Sequence, residues 1–381
     1  MISYIHPTQP TLLRRLGREI GSDVHDGFTD AVSTDNGATW GTPRPALSRV
    51  EEQGGYTIFV ENSLYYCGQR NLLVHLVDQI FQDQLEEADL NQSALLRITV
   101  ASPEVFLAGP VEPSLVSNFG LKQGICVSFA HPLETVSGKL LIPVQWQSDV
   151  ASREAEWNGF TVRDDMSDVF ADVWESALLI GTWNEQGSLD WVLGNPVPYD
   201  FGGSSRGMCE GTVTELADGK LAMILRGSNA AWLDKPSYKW LAFSQDDGLN
   251  WSKAQPLACD DGTLMQSSAT GSALFRSLKD GQLYWLGNLC EEGQQAQGNW
   301  PRSPLHIARV CEEPFSLVRE SITAVATHTP EEGEFVQHSN FRFYQDRQTG
   351  EVVVYITRFG ERGMEGTQWM DADLYEYRVE L

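Results

Sequence analysis

The stretch FVQHSNFRFYQDRQTGEVVVY, residues 335–355, carries polar side chains at alternate positions of a segment that is otherwise strand-like and apolar. Successive side chains of a strand point to opposite sides of the sheet, so an unbroken strand would bring His338, Asn340 and Arg342 to one side. Tyr344 would follow on the same face. An imidazole can exchange a proton near neutral pH, and a guanidinium can bind a carboxylate through two parallel hydrogen bonds. The trio therefore predicts a polar channel rather than a core.

Two further segments carry residues of the same chemical types. In GNWPRSPLHIARV, residues 298–310, Arg302 lies between Pro301 and Pro304, and a loop stiffened by prolines suits a fixed contact with an anion. His131 precedes a proline in SFAHPLE. Placed across a channel from His338, it could remove a proton next to a carboxylate that arginine neutralises, which is the chemistry of a uronate lyase.

The elements that would position these residues recur along the chain. Four apolar runs each begin with a glycine, at positions 138, 219, 281 and 350, and the intervals between these glycines are 81, 62 and 69 residues. A glycine turn that leads into an apolar run of five to eight residues is typical of a hairpin and a buried strand. A recurring interval of this size indicates a repeated unit.

Two eight-residue segments, STDNGATW (33–40) and SQDDGLNW (244–251), share the pattern Ser-x-Asp-x-Gly-x-x-Trp. In such a turn the Asp side chain can accept hydrogen bonds from backbone amides, the Gly supplies a positive φ, and the Trp can pack against the sheet. The order strand, glycine turn, strand, box, strand predicts four-stranded antiparallel units that stack radially as a β-propeller. We predict one domain over residues 1–381 with six blades, seven being the alternative.

Two segments add detail to this all-β prediction. Residues 74–92 have helical spacing with no Gly or Pro, which predicts an inserted helix or a long edge hairpin. The final run ADLYEYRVEL reads as a strand that could complete the first blade.

The charge and composition exclude several classes of partner. A net charge of −25 repels nucleic acid and anionic membranes, and no apolar run approaches the roughly 20 residues that span a bilayer. The N-terminal residues show no signal peptide, which predicts a cytoplasmic location. The six widely separated cysteines form no zinc pattern, and no other metal-ligand spacing is visible. No cofactor is predicted, while a metal in the central channel and the oligomeric state stay open.

The two boxes and the blade-like spacing resemble the Asp-box, or bacterial neuraminidase repeat, of the sialidase superfamily. This resemblance implies a β-propeller and a carbohydrate-active enzyme, a glycoside hydrolase that acts on an acidic sugar or oligosaccharide. Two alternatives remain open. One is a uronate-specific polysaccharide lyase on the same propeller, and the other is a non-catalytic glycan-binding propeller.

The resemblance also implies roles for individual residues. Sialidases hold the substrate carboxylate with three arginines, use a Tyr nucleophile activated by a Glu, and use an Asp as acid/base. EGTVTELADGKLAMILRGSN, residues 210–229, is similar to the segment that carries the activating Glu and an Arg, which assigns those roles to Glu210 and Arg226. Arg302 corresponds to a further arginine. SDVHDGFTDAVSTDNGATW, residues 22–40, is similar to the run that starts at the acid/base Asp, which makes Asp26 or Asp23 the candidate.

The chain departs from the sialidase pattern in two places. It has no Arg-Ile-Pro strand near its start, and Arg14, Arg15 and Arg18 are candidate replacements that the sequence does not separate. His338 precedes Ser339 where sialidases have Tyr-Ser, and a His is a poor glycosyl nucleophile although it can serve as acid or base. Arg342 would be a further anion contact. Flat aromatic faces bind sugar rings, and the candidates for this are Trp300, Trp146, Trp157 and Trp232.

Overall fold

The computed structural model describes residues 1–21, 24–52, 54–82, 95–109, 111, 113–121, 124–127, 129, 131–148, 173–366 and 368–381. Regular structure in these ranges is almost entirely antiparallel β-strand, with one six-residue helix, α1 (Pro103–Ala108), and three short 3-10 turns. No helix of the described ranges has the length and apolar character that crossing a bilayer requires. The predicted all-β class is confirmed.

The contacts divide the chain into two compact units. Unit 1 comprises Met1–Phe129 and Arg342–Glu351, and unit 2 comprises Ala130–Phe341 and Val352–Leu381. The single domain over residues 1–381 stays a prediction.

Unit 1 contains a nine-stranded sheet in the order β1-β2-β3-β6-β7-β8-β9, in which β4 pairs with β3 and β5 pairs with β6. The strands are β1 (Ile2–Tyr4), β2 (Leu12–Gly21), β3 (Val24–Ser33), β4 (Arg44–Ser48), β5 (Val50–Glu52), β6 (Gly55–Cys67), β7 (Leu72–Gln82), β8 (Leu95–Ala101) and β9 (Ser114–Leu115). Apolar side chains such as Phe28, Phe59 and Val77 form its core.

Strand β7 corrects part of the prediction for residues 74–92. Residues 74–82 are extended and pair with β6 and β8, so no helix begins there, and residues 83–92 lie outside the described residues. The side chains of residues 73–78 and 80 in β7 are buried. A strand covered on both faces has a continuous apolar run instead of a period of two, and such a run imitates helical spacing.

A late segment of the chain completes unit 1. Residues 342–351 contain most of β23 (Phe341–Gln345) and the turn that follows it. The Tyr344 ring meets Tyr4 edge to face, with ring centroids 5.9 Å apart, and the Asn36 amide donates to Asp346 Oδ1 over 2.8 Å. Tyr344 is therefore a core residue.

Unit 2 contains two four-stranded sheets, one five-stranded sheet and the hairpin β24–β25. The strands of the four-stranded sheets are β10 (Leu133–Glu134), β11 (Leu140–Gln147), β12 (Trp174–Trp183) and β13 (Leu189–Leu193), then β14 (Cys209–Glu215), β15 (Leu221–Arg226), β16 (Lys239–Ser244) and β17 (Gln255–Pro256). The others are β18 (Ser272–Arg276), β19 (Leu283–Asn288), β20 (Leu305–Glu312), β21 (Phe315–Leu317), β22 (Thr323–Ala326), β24 (Val352–Thr357) and β25 (Leu374–Val379).

The four glycine-led runs form the buried strands β11, β15, β19 and β24, each of which begins two residues after its glycine. The glycines at 138, 219, 281 and 350 have φ angles of 83°, 83°, 71° and 78°. This left-handed region is costly for other residues, so glycine is what permits the tight turn. Their apolar side chains join those of neighbouring sheets in shared cores, for example Leu141 with Leu225 and Ala222 with Trp285.

The sheets of the described residues do not correspond one to one with the predicted blades. The sheets of the described residues include one of nine strands, whose strands β3 and β6 share a single residue pair, His25 with Phe59. If that sheet is divided at this pair, the strands fall in chain order into six groups: β1–β4, β5–β9, β10–β13, β14–β17, β18–β22 and the last three strands. A propeller of six blades, or seven, therefore stays a prediction.

The last strand, β25, was predicted to complete the first blade, but it pairs with β24 instead. β25 pairs along its whole length with β24, from Leu374 opposite Thr357 to Val379 opposite Val352. Its side chains are alternately exposed and half-buried, which is typical of a strand with one face toward solvent. The first group has its own outer strand, β1.

The two boxes form the same turn, as predicted. In the second box, Ser244 Oγ accepts from the Gly248 amide over 2.9 Å, and Asp246 Oδ1 accepts from the Asn250 amide over 2.9 Å. In the first box the corresponding distances, from Gly37 to Ser33 and from Thr39 to Asp35, are 2.8 Å and 2.9 Å. Trp251 packs in the unit 2 core.

We expect Ser244→Ala to lower the free energy of unfolding by about 1–3 kcal/mol, because the buried Gly248 amide loses its acceptor. Urea denaturation followed by tryptophan fluorescence measures this change. Ser188→Ala, in an exposed turn, is the matched control and should change little. A Ser244→Ala protein as stable as the control would show that these hydrogen bonds do not fix the turn.

Candidate functional site

Glu210 and Arg226 meet at one edge of the sheet β14–β17. The first residues of β14 lie opposite the last residue of β15, and the register between Cys209 and Thr212 is shifted by a bulge that contains Glu210. Glu210 has a φ of 47°, a left-handed value that is uncommon for a residue with a side chain, and its amide donates to Gln145 Oε1 over 2.7 Å. Such distortions concentrate at functional sites.

The bulge aims the Glu210 carboxylate at the Arg226 guanidinium, and Nη1 of Arg226 donates to Oε1 of Glu210 over 2.5 Å. Both side chains are partly accessible, with 13% and 14% of their surface exposed. A charge pair at this depth is reachable by a ligand and is still shielded from bulk water.

Asn299 links Arg226 to the second predicted arginine. Its Oδ1 accepts from Arg226 Nη2 over 3.1 Å, and its backbone oxygen accepts from Arg302 Nε over 3.3 Å. Arg302 Nη1 in turn donates to Gln337 Oε1 over 3.1 Å, with Ser339 Oγ at 3.4 Å and Asn340 Oδ1 at 3.5 Å. We call this group the arginine cluster; it consists of Glu210, Arg226, Asn299, Arg302, Gln337, Ser339 and Asn340.

The loop that carries Arg302 is held by its backbone carbonyls. The Arg302 carbonyl accepts from the His338 amide over 2.8 Å, and the Asn288 side chain donates to the Pro304 carbonyl over 2.8 Å. The peptide bonds before Pro301 and Pro304 are both cis. Arg302 is thus fixed by contacts to β19 and to the segment that precedes β23.

His338 does not face the arginine cluster, which corrects the predicted orientation. The residue is fully buried, its Nδ1 shares a hydrogen bond of 3.1 Å with Ser303 Oγ, and its ring centroid lies 5.5 Å from that of His328. Burial, followed by the charge of the nearby His328, lowers the pKa of His338 to about 4. A neutral, enclosed imidazole cannot exchange protons with a substrate in this conformation.

The alternation expected from His338 onward fails because the strand starts later. β23 begins at Phe341, so residues 337–340 have no strand geometry. Asn340 reaches Arg302, but Arg342 places its guanidinium over the Phe129 ring in unit 1, 4.6 Å from the ring centroid.

Asp26 is buried in unit 1 with two basic partners. Its carboxylate accepts from Arg18 through both oxygens, with 2.7 Å between Nε and Oδ1, and Arg49 Nη1 lies 3.5 Å from Oδ2. These contacts, the Arg18 hydrogen bond above all, lower the pKa of Asp26 below its usual value. A general acid needs the opposite shift, so the geometry favours an ionised carboxylate; Asp23 lies outside the described residues.

The candidate arginines near the start of the chain are all engaged locally. Arg18 binds Asp26, as just described. Arg14 lies over the Trp40 ring at 4.3 Å, and Arg15 forms a buried bidentate pair with Asp30 at 2.7 and 2.8 Å. None of the three is assigned to the arginine cluster.

The remaining predicted residues are distributed as follows. Trp300 packs edge to face on Phe335, with ring centroids 5.2 Å apart, and Phe335 is 45% exposed. Trp146 donates to Glu175 over 3.2 Å, Trp232 is buried, and Trp157 lies outside the described residues. His131 is half-buried in the segment that leads into β10. With His338 enclosed, the two imidazoles cannot share one substrate proton.

Lys239 is a residue that the sequence analysis missed. It pairs with Arg226 across β15 and β16, is 2% exposed, and donates from Nζ to the carbonyl and hydroxyl of Thr270. Burial first, and then the charge of Arg226, lower its pKa to about 7. Nothing in KWLAFS signals this, because a lysine at a strand start is normally exposed. Asn299 and Gln337 were also missed, although both lie in segments that the sequence had singled out.

In the part of the chain that the structure describes, no group of three or more His, Cys, Asp or Glu side chains is arranged to hold a metal ion. The chemistry of the arginine cluster is that of a carboxylate, two guanidiniums and neutral amides. Such a group can bind an anion and can move a proton at Glu210.

Solved structures match nearly the whole chain. The intramolecular trans-sialidase from Ruminococcus gnavus, in complex with oseltamivir carboxylate, has a TM-score of 0.62 and 12% identity, over 98% of this chain and 92% of that one. The NanB sialidase from Streptococcus pneumoniae has a TM-score of 0.61 and 13% identity, over 99% and 67%. The leech intramolecular trans-sialidase has a TM-score of 0.60 and 12% identity, over 97% and 66%.

The fold is sialidase-like. At 12–13% identity the likeness to these proteins shows the fold alone. No family model and no curated protein matches the sequence.

We expect the His338 imidazole to stay neutral down to about pH 5, because burial lowers its pKa to about 4. Histidine-selective NMR over pH 4–8 measures this, and a His338→Gln variant assigns the signal. A titration of His338 near its ordinary value of 6.5 would contradict the enclosed position.

Proposed function

We propose that the protein is a carbohydrate-active enzyme, a sialidase-like glycoside hydrolase that acts on an acidic sugar or oligosaccharide. The observation that carries this proposal is the pair Arg226 and Arg302, which Asn299 holds together within a sialidase-like fold. Two fixed guanidiniums suit a sugar carboxylate, because each offers parallel N–H donors in a planar fork. The strongly negative chain makes such a local positive site necessary for any anionic ligand.

We infer that the chain is a divergent member of the sialidase superfamily and that its six groups of strands are six blades. The match over 97–99% of the chain supports this, and so do the recurring glycine-led strands.

Glu210 is the proposed acid/base group of this site. Its carboxylate contacts Arg226, so a sugar whose own carboxylate is bound by the arginines would have its ring close to Glu210. The bulge fixes the Glu210 backbone through Gln145, which reduces the freedom that the side chain loses in the reaction. A carboxylate in this position can accept a proton from an attacking hydroxyl group or water molecule.

Two observations favour a second candidate, a non-catalytic glycan-binding protein. His338, at the position where sialidases carry Tyr, is enclosed, and Asp26 is held ionised by Arg18 and Arg49. The uronate lyase gains no such support, because it needs an accessible His338.

We expect Glu210→Gln and Arg226→Gln each to lower kcat/KM by about 100-fold or more, since both remove a group that contacts the reacting sugar. The substrates are 4-methylumbelliferyl glycosides of N-acetylneuraminate and D-glucuronate, and fluorescence measures their hydrolysis. A sugar acid that binds the wild-type protein without any turnover would support the glycan-binding alternative.

The matched controls are Glu312→Gln and Arg276→Gln, which break an ion pair of 2.9 Å on the surface of the same unit. Both should keep the activity of the wild-type protein. Hydrolysis of neutral glycosides at rates that Arg226→Gln leaves unchanged would contradict an acidic substrate.

A further inference from the structure

Lys239 is a buried amine that has no ion-pair partner among the residues that the structure describes. Its side chain is 2% exposed, and no carboxylate of the described residues lies within ion-pair distance of its ammonium. The Nζ donates to the Thr270 carbonyl and, over 3.1 Å, to the Thr270 hydroxyl. A buried charge without an ion partner costs free energy, so this position calls for a physical explanation.

Lys239 is the cross-strand neighbour of Arg226, a member of the arginine cluster. Cys209, Arg226 and Lys239 form one row across β14, β15 and β16, and residues paired in this way place their Cβ atoms about 4.5–5.5 Å apart on the same face. Within this row Arg226 stands between Lys239 and Cys209, the residue that precedes Glu210. An ammonium in this row adds positive potential where the two guanidiniums would hold an anion.

The charged and titratable groups around Lys239 come from three elements. Arg226 on β15 disfavours its charged form, and Glu210 on β14 favours it. The thiols of Cys209 and Cys290 also face it, but burial raises the pKa of each to about 11, so both stay neutral at physiological pH. Burial is the largest of these effects, and together they lower the pKa of Lys239 to about 7.

Thr270 can support both protonation states of the amine. When Lys239 is charged, the Thr270 hydroxyl accepts a hydrogen bond from the ammonium and can donate one to the Ser268 carbonyl, which lies 3.4 Å away. When Lys239 is neutral, the same hydroxyl can donate to the nitrogen lone pair. The site thus needs no rearrangement when the lysine gains or loses its proton.

We propose that Lys239 is the third cation of the anion site, strengthening the binding of a sugar carboxylate by Arg226 and Arg302 and taking up a proton when that carboxylate binds. This inference rests on the anion site of the proposed function but not on turnover. By linkage, a ligand that binds the charged form more tightly raises the affinity of Lys239 for its proton by the same factor.

Isothermal titration calorimetry with N-acetylneuraminate, D-glucuronate and D-galacturonate tests the proposal between pH 5.5 and 9, in pairs of buffers with different ionisation enthalpies. For the wild-type protein we expect the Kd of the bound sugar acid to rise roughly tenfold from pH 6 to pH 8.5. The same coupling corresponds to uptake of about half a proton per ligand near pH 7.5.

Lys239→Met should bind the same sugar acid roughly tenfold more weakly at pH 6, with no proton uptake and a flat pH profile. Removing a buried unpaired charge is not expected to destabilise the fold. Lys220→Met removes an exposed lysine of the same unit and should behave like the wild-type protein.

A measurement on the wild-type protein does not depend on any variant. NMR of protein labelled with 13C at lysine Cε follows the Lys239 titration, which should move up by about one pH unit when the sugar acid is added. A Lys239 that titrates near 10, or that does not respond to a bound sugar acid, overturns the proposal.

The outcomes separate this inference from the proposed hydrolase. Sugar-acid binding that depends on Lys239, without turnover, supports the third cation and refutes the hydrolase. Turnover whose KM has the same pH profile in Lys239→Met as in the wild-type protein refutes the third cation alone. If none of the three sugar acids binds the wild-type protein at pH 6, there is no anion site and the proposal fails.

Discussion

The antiparallel pairing of β14, β15 and β16 is the constraint on which the candidate site depends. It brings the start of one strand, the end of the next and the start of the third to one edge of the sheet, so that Cys209, Arg226 and Lys239 become neighbours although 30 residues separate the first from the last. The bulge at Glu210 is the one departure from regular pairing, and it turns a carboxylate toward Arg226. In a regular strand the Glu210 carboxylate would point to the other face of the sheet, away from Arg226, because neighbouring side chains alternate between faces.

The same edge explains why neutral amides matter in this site. Asn299 contacts Arg226 with its side chain and Arg302 with its backbone, so one residue links the two guanidiniums. A neutral partner leaves the positive charge of both guanidiniums available to a ligand, whereas Glu210 offsets part of the charge of Arg226. Gln337 and Asn340 have the same relation to Arg302.

Local signals allowed much of the fold to be predicted. Glycines 138, 219, 281 and 350 identify turns and the strands that follow them, because the conformational freedom of glycine acts within a few residues. The turns that the two boxes form could be predicted in the same way. The helix alternative for residues 74–92 failed at β7, where burial on both faces removes the period of two.

Contacts in the site could be predicted where two residues flank the same hairpin. They could not be predicted where the partners lie far apart in the sequence. Glu210 and Arg226 flank one hairpin, so their meeting was foreseeable. Two hydrogen bonds turn His338 inward: its amide donates to the carbonyl of Arg302, and its ring bonds to the hydroxyl of Ser303. These partners lie 36 and 35 residues away in the sequence, so no local pattern encodes the contacts. The burial of Lys239 likewise depends on Thr270 and on the strands beside it, not on its own neighbours in sequence.

The inclusion of residues 342–351 in unit 1 affects how the chain folds during its synthesis on the ribosome. Tyr4 and Asn36 emerge from the ribosome long before Tyr344 and Asp346, their partners in that unit. At elongation rates of about 5–20 residues per second, roughly 10–45 seconds pass between the synthesis of Phe129 and that of Glu351. During that interval the first nine strands lack the segment that covers Tyr4. The N-terminal part of the nascent chain therefore stays without one of its core contacts until late in synthesis, and a chaperone that binds exposed apolar surface would protect it during this interval.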